Sequence, residues 1–145
     1  MRLPVYVSRM INLPFILRRG LIYIPITIQH KGRDLALQNC IFDTGAAGTT
    51  FDVDQVASIG LTFVPESKIK RLATIGGYQR VFTRVVDSLR IGEESLTACE
   101  IEIGDLNSQF KIDAIIGTDV ICRFNWQLDF AQHILTAHPH PFAIT

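Results

Sequence analysis

Along most of the chain apolar and polar positions alternate with a period of two. Ile22, Ile24, Ile26 and Ile28 interleave with Tyr23, Pro25 and Thr27, the pattern of a strand with one buried face. Pro25 has no N–H to give a neighbour, which places this strand near a sheet edge. The run His30-Lys31-Gly32-Arg33 turns the chain back. Leu35 to Phe42 is apolar enough for an interior strand, and it ends at Asp43-Thr44-Gly45-Ala46, where small residues signal a loop. Alternation returns from Arg80 to Val86, with Val81, Thr83 and Val85 on one face. Ile75-Gly76-Gly77-Tyr78 precedes it as the tip of a long, exposed hairpin. Thr97, Cys99, Ile101 and Ile103 against Ala98, Glu100 and Glu102, and Trp126, Leu128 and Phe130 against Gln127 and Asp129, predict two more half-buried strands.

Helix signals are few. Asp52 is placed as an N-cap, with Gln55 three residues on, Val53, Val56 and Ala57 apolar, and Gly60 as a stop. A second short helix is expected from Thr118 to Phe124, with Thr118 or Asp119 capping its first turn. The protein reads as mostly β, without repeats or a linker tract.

With 145 residues and 48% hydrophobic composition, the chain is the size of one domain and has the side chains for a core. Its 14 basic residues balance 14 acidic ones. There is no basic field to bind nucleic acid and no polybasic run to seek anionic lipid, so the expected partner is uncharged or peptidic. Cys40, Cys99 and Cys122 form no CxxC pair, and their odd number favours a reducing, cytoplasmic setting. Arg9, Asn12, Arg18 and Arg19 interrupt the mildly apolar stretch from Met1 to Gly20, so no membrane span is expected there. Residues 1–20 read as an arm or terminal strand, and 21–145 as the domain.

The run Cys40-Ile41-Phe42-Asp43-Thr44-Gly45-Ala46 aims a carboxylate out of an apolar strand end. Such a group must be hydrogen-bonded or paired, and environments of this kind displace pKa values toward catalytic use. An isolated Asp-Thr-Gly is also a good turn. A second element, Ala114-Ile115-Ile116-Gly117, leads into the second short helix.

The order of these pieces, a strand, an Asp-Thr-Gly-Ala loop, a short helix, a Gly-tipped hairpin, strands, then Ile-Ile-Gly and a helix, resembles the retroviral-type (retropepsin-like) aspartic proteases. It is most similar to their bacterial members and covers roughly Leu21 to Thr136. The resemblance implies an all-β, single-lobe, pepsin-like closed barrel with one or two short helices. Such enzymes need two carboxylates, and this chain has one Asp-Thr-Gly, so a homodimer with its active site on the two-fold axis is implied. The two copies of Asp43 would share a proton and act as base and acid on a water that attacks a peptide bond. Thr44, Gly45 and Gly117 would support the loop, with Thr44 bonding across the axis. Ala46 would contact substrate, as would Ile75, Gly76 and Gly77 of a flap that closes over it. Neither cofactor nor metal is implied.

The sequence departs from the family where Ala47, Gly48 and Thr118 stand in place of two acids and an arginine that pair with them. Loss of both sides of an ion pair is milder than loss of one. Arg123 is placed to pair with Asp119 instead, four residues apart. Glu100 and Glu102 read as solvent-facing, Cys40 as a packed thiol, and His138-Pro139-His140 as a solvated tail rather than a metal site with His133. The alternative function is a non-catalytic dimeric peptide-binding or assembly module on the same fold.

Overall fold

A computed structural model describes residues 10–74, 76–106 and 111–139. Among these, eleven strands and two short helices follow one another. A small sheet has the order β1-β11-β10, from β1 (Ile11–Pro14), β10 (Phe124–Asp129) and β11 (Ile134–Pro139). The larger holds β2 (Ile16–Arg18), β3 (Leu21–His30), β4 (Arg33–Phe42), β5 (Thr50–Asp52), β6 (Ile69–Thr74), β7 (Gly77–Ile91), β8 (Glu94–Gly104) and β9 (Ala114–Ile116). Its order is β2-β3-β4-β9-β5-β8-β7-β6, and β3 also pairs with β7 through Thr27↔Arg90, Ile28↔Leu89 and Gln29↔Ser88. The ladder thus returns on itself, which removes most free edges and leaves one interior to fill.

The alternation in the sequence sets what fills it. Ile24, Ile26 and Ile28 of β3, Ile101 and Ile103 of β8 and Ile116 of β9 all point inward and are buried, each stabilising the fold by ~1.5–3 kcal/mol. Phe51, Leu61, Leu89 and Leu135 complete the interior. Cys40 lies wholly inside, where burial raises its thiol pKa well above the ordinary range and keeps it in the unreactive protonated form.

Pro25 sits as expected near an edge: β3 is second in the sheet order, β2 pairs only with its residues 21–23 and β7 only with 27–29, and Pro25 falls between them where the β3–β4 register shifts between Ile24 and Ile26. A bulge leaves one residue out of the ladder, so the missing donor costs nothing there. In β8 the register against β7 is unbroken, from Phe82↔Ile103 to Ile91↔Glu94, although Ala98 takes a φ of 51° and Thr97 is exposed while Cys99 is buried.

Helix α1 (Val53–Ala57) begins as read, with the Asp52 carboxylate accepting from Gln55 N at 3.3 Å. Asp52 is fully buried, and its other oxygen accepts from Leu106 N at 3.0 Å, so the charge is solvated by backbone. Helix α2 (Thr118–Ile121) is shorter than the sequence suggested, and its N-cap is Gly117 rather than Thr118 or Asp119. Phe124 already belongs to β10, and His138 lies in β11 rather than in a tail. Among the described residues no helix is long and apolar enough to cross a membrane.

Candidate active site

Strand β9 lies between β4 and β5, parallel to one and antiparallel to the other. This crossing brings the two small-residue motifs of the sequence together: Phe42 pairs with Ile116, and Asp43 N donates to Ile116 O at 2.9 Å. Directly before Asp43, Phe42 packs edge-on against Trp126 with centroids 5.1 Å apart, and the Trp126 indole N–H donates to Ile121 O at 2.8 Å. The strand end that carries Asp43 is therefore held by the C-terminus of α2 and by β10.

Asp43 itself is half-buried. Its Oδ1 accepts from Gly45 N at 2.8 Å, and its carbonyl accepts from Ala46 N at 3.3 Å, so residues 43–46 form a tight turn around the carboxylate. Thr44 stands exposed beside it, and among the described residues its hydroxyl has no hydrogen-bond partner. Asp43 joins no salt bridge among the described residues.

Gly117 explains why its position must be bare. A Cβ there would drive into the carbonyl oxygens of Gly48 and Ala46, the latter at 2.7 Å. The close approach lets Thr118 N donate to Ala46 O at 2.8 Å and Asp119 N to Ala47 O at 3.3 Å. The loop that follows Asp43 is thus bonded along its length to the start of α2.

Thr49 and Asp119 form a polar link that the sequence reading missed. The Thr49 hydroxyl accepts from Gly117 N at 3.0 Å and donates to Asp119 Oδ1 at 2.7 Å, while Thr49 N donates to Asp119 Oδ2 at 3.2 Å. Asp119 Oδ1 also accepts from Val120 N at 2.9 Å. The expected Asp119–Arg123 pair is absent among the described residues, because the carboxylate turns to the loop instead of along the helix. The signal available in the sequence was the spacing: a hydroxyl six residues after Asp43 and a carboxylate two after Gly117.

The β6–β7 hairpin pairs Ile69↔Phe82 through Thr74↔Gly77. Gly76 and Gly77 are at its tip, with Gly77 at a φ of 126° that only glycine adopts readily. Ile75, expected to contact substrate, lies outside the described residues. Tyr78 is 71% exposed, and the Arg71 guanidinium lies over its ring at 4.3 Å. Tyr78 thus packs on its own hairpin. Asp43, Gly45, Ala46 and Gly117 are brought together, whereas Gly76 and Gly77 belong to a separate element.

Glu102 overturns the solvent-facing expectation. Its side chain is only 13% exposed, and it accepts from the Thr50 hydroxyl at 3.1 Å. A Cβ on Gly48 would stand 2.7 Å from Glu102 Oε1, so Gly48 leaves room for this carboxylate. A cavity of about 260 Å³ beside the loop is bordered by Lys70, Glu100, Glu102, Asp119 and Arg123. Asp43 is not among the residues that line it.

The sequence matches the aspartyl protease family over residues 25–120, about two thirds of the chain. No curated protein sequence matches it. Among solved structures, the fold is similar to that of a retropepsin-like aspartic protease from Rickettsia conorii. That similarity has a TM-score of 0.64 and 17% sequence identity, and covers 94% of this chain and 96% of the other.

Proposed function

Since the chain belongs to the aspartyl protease family, we propose that it is an endopeptidase whose active site is completed only when two copies meet. One chain carries one Asp-Thr-Gly, and a dyad of carboxylates requires a second. In the homodimer the two Asp43 side chains face each other across the two-fold axis. Like charges at that distance cannot both ionise, so the pair holds one proton and titrates as a unit.

The ionised member takes a proton from a water between them as the water oxygen attacks the peptide carbonyl carbon. The neutral member donates its proton to the carbonyl oxygen, and no charge is left exposed on either side of the bond. In the collapse of the resulting diol, the newly protonated carboxyl gives its proton to the amide nitrogen and the newly ionised one takes a diol hydroxyl proton, as the C–N bond breaks and the carboxylic acid forms. Gly45 N fixes one Asp43 oxygen, leaving the other for water. Thr44, whose hydroxyl has no partner among the described residues, bonds to the partner loop. Ala46 leaves space for an extended peptide, which the β6–β7 hairpin covers as a flap, with Ile75, Gly76 and Gly77 nearest the substrate. A cytoplasmic setting suits the three free thiols.

The observation that carries this reading is the half-buried Asp43 carboxylate, oriented by one backbone donor at the end of a strand locked on three sides. Asp43→Asn keeps that shape and removes the acid and base. Cleavage of an unbiased peptide mixture between about pH 3 and about pH 7 should fall by about 10²-fold to 10⁴-fold in the variant. Both proteins should sediment as dimers. Equal cleavage by both, or cleavage by a strict monomer, would overturn the mechanism. A folded, dimeric wild type that cuts nothing would favour a peptide-binding module instead.

A further inference from the structure

The hairpin strand β6 is the last in its sheet, and its backbone bonds run to β7 alone. Among the described residues, ion pairs to β8 come from Lys70 of this strand and from Lys68, which directly precedes it. Lys68 Nζ lies 3.6 Å from Glu100, and Lys70 Nζ lies 3.8 Å from Glu100 and 3.7 Å from Glu102, both on β8. Glu100 is 41% exposed, so its pairs are screened. Glu102 is different, because its carboxylate is tucked against Gly48, takes the Thr50 hydroxyl, and has its own backbone N donating to Thr49 O at 2.9 Å. One side chain therefore touches the segment following the catalytic loop and a cation on the outer strand of the hairpin.

We propose that Glu102 is a positioning residue for the proteolytic reaction, coupling the β6–β7 hairpin through Lys70 to the segment Gly48–Thr50. The inference rests on reading Asp43 as catalytic and the hairpin as a flap. A tuck that leaves 13% exposure removes solvent from one side of the charge, so its attraction for Lys70 is stronger than that of a free surface pair. The pair draws β6 toward the loop and raises the fraction of molecules in which the hairpin is set to cover a substrate. Apparent substrate affinity scales with that fraction. Gly48 is the counterpart of the same device, since any side chain there would push Glu102 out of contact with Thr50.

Gln79 Nε2, which donates to Asp105 O at 2.8 Å, ties β7 to the residue after β8 without charge and is left in place by the variants below. Lys70→Met removes the cation. Glu102→Gln removes the charge but keeps an acceptor for Thr50 and the packing on Gly48. Each should raise KM about threefold to tenfold, the size of a partly desolvated pair, with kcat within about twofold of wild type. The double variant should be no worse than either single one, and Lys70→Arg should restore KM. High salt should raise the wild-type KM toward that of the variants and leave theirs unchanged. Without any peptide, amide exchange across residues 69–82 should quicken in Lys70→Met while that of residues 40–50 stays as in wild type.

Unchanged or lowered KM, additive single effects, or exchange rates that do not move would overturn the proposal. The exchange arm needs no activity and so separates the two readings. If wild type cuts no peptide, the role in proteolysis falls with the proposed function, and quickened exchange then keeps only the tether.

Discussion

The catalytic loop and the β6–β7 hairpin belong to one sheet but are held in opposite ways. Residues 43–50 receive or give hydrogen bonds to β9, to the start of α2 and to β8, none of them a neighbour in sequence. Residues 69–74 have a regular ladder to one partner strand, and Gly76 and Gly77 at the tip are exposed. A segment tied to several unrelated elements can move only if all of them do, whereas a hairpin on one ladder opens at small free-energy cost. In the proposed reaction this division is useful. Two carboxylates sharing a proton need fixed separation, and an extended peptide needs a cover that lifts.

Glycine substitutions offer the largest test of the contrast. Gly117→Ala places a methyl against the carbonyls of Ala46 and Gly48, and Ala46 O cannot retreat without breaking its bond from Thr118 N. Overpacking of this kind costs about 1–3 kcal/mol or more. Urea unfolding should show that loss, with cleavage lost as well. Gly76→Ala, at the hairpin tip, meets nothing within 4 Å and should stay within about 0.5 kcal/mol of wild type. Similar losses at both positions would mean that the tip is as constrained as the loop, and the comparison would fail.

Buried threonines give a smaller and finer test. Thr49→Val deletes a hydroxyl that serves both Gly117 N and Asp119, leaving a buried donor unpaired at a cost of about 1–3 kcal/mol. Thr83→Val deletes a hydroxyl that, among the described residues, accepts only from Lys68 N, at 3.0 Å. Lys68 is exposed, so water replaces that bond, and the expected cost is about 0.5–1.5 kcal/mol. Thermal melts of the two variants measure the difference. A larger loss for Thr83→Val would place the rigid part of the molecule at the root of the hairpin.

Much of this was legible in the sequence because the period-two runs and the Asp-Thr-Gly and Ile-Ile-Gly motifs report local constraints. A strand shows its buried face by alternation, and Gly117 shows by its bareness that something must come close. Asp119 and Glu102 were misread for one shared reason. Each is decided by a partner far along the chain: the Thr49 hydroxyl, and the space above Gly48. The absent ion pair at Ala47, Gly48 and Thr118 looked like a loss. The structure fills the same region with carboxylates from α2 and β8, which no spacing within the loop could reveal.

The smallest effect concerns the other end of β7, where it enters the barrel wall beside β3. His30 is buried there, and its Nε2 lies 3.3 Å from Arg84 Nη2, which makes that nitrogen the acceptor and the ring neutral. Arg84 is itself anchored by Nη1 to Thr62 O at 2.7 Å. Burial first, and then the Arg84 charge, lower the His30 pKa below its ordinary 6.5, against a weaker opposing pull from Asp87. The unfolded chain therefore takes up a proton at a pH where the folded one does not, so stability falls as pH drops through about 6.5 and levels off below the folded pKa. His30→Gln retains an acceptor for Arg84 and cannot titrate. Its unfolding free energy should change less than that of wild type between about pH 7 and about pH 5. Identical slopes would show that the root of β7 is indifferent to the charge on His30. A reduced slope would extend the contrast along a single strand, from a tip open to solvent to a root that resists even a proton.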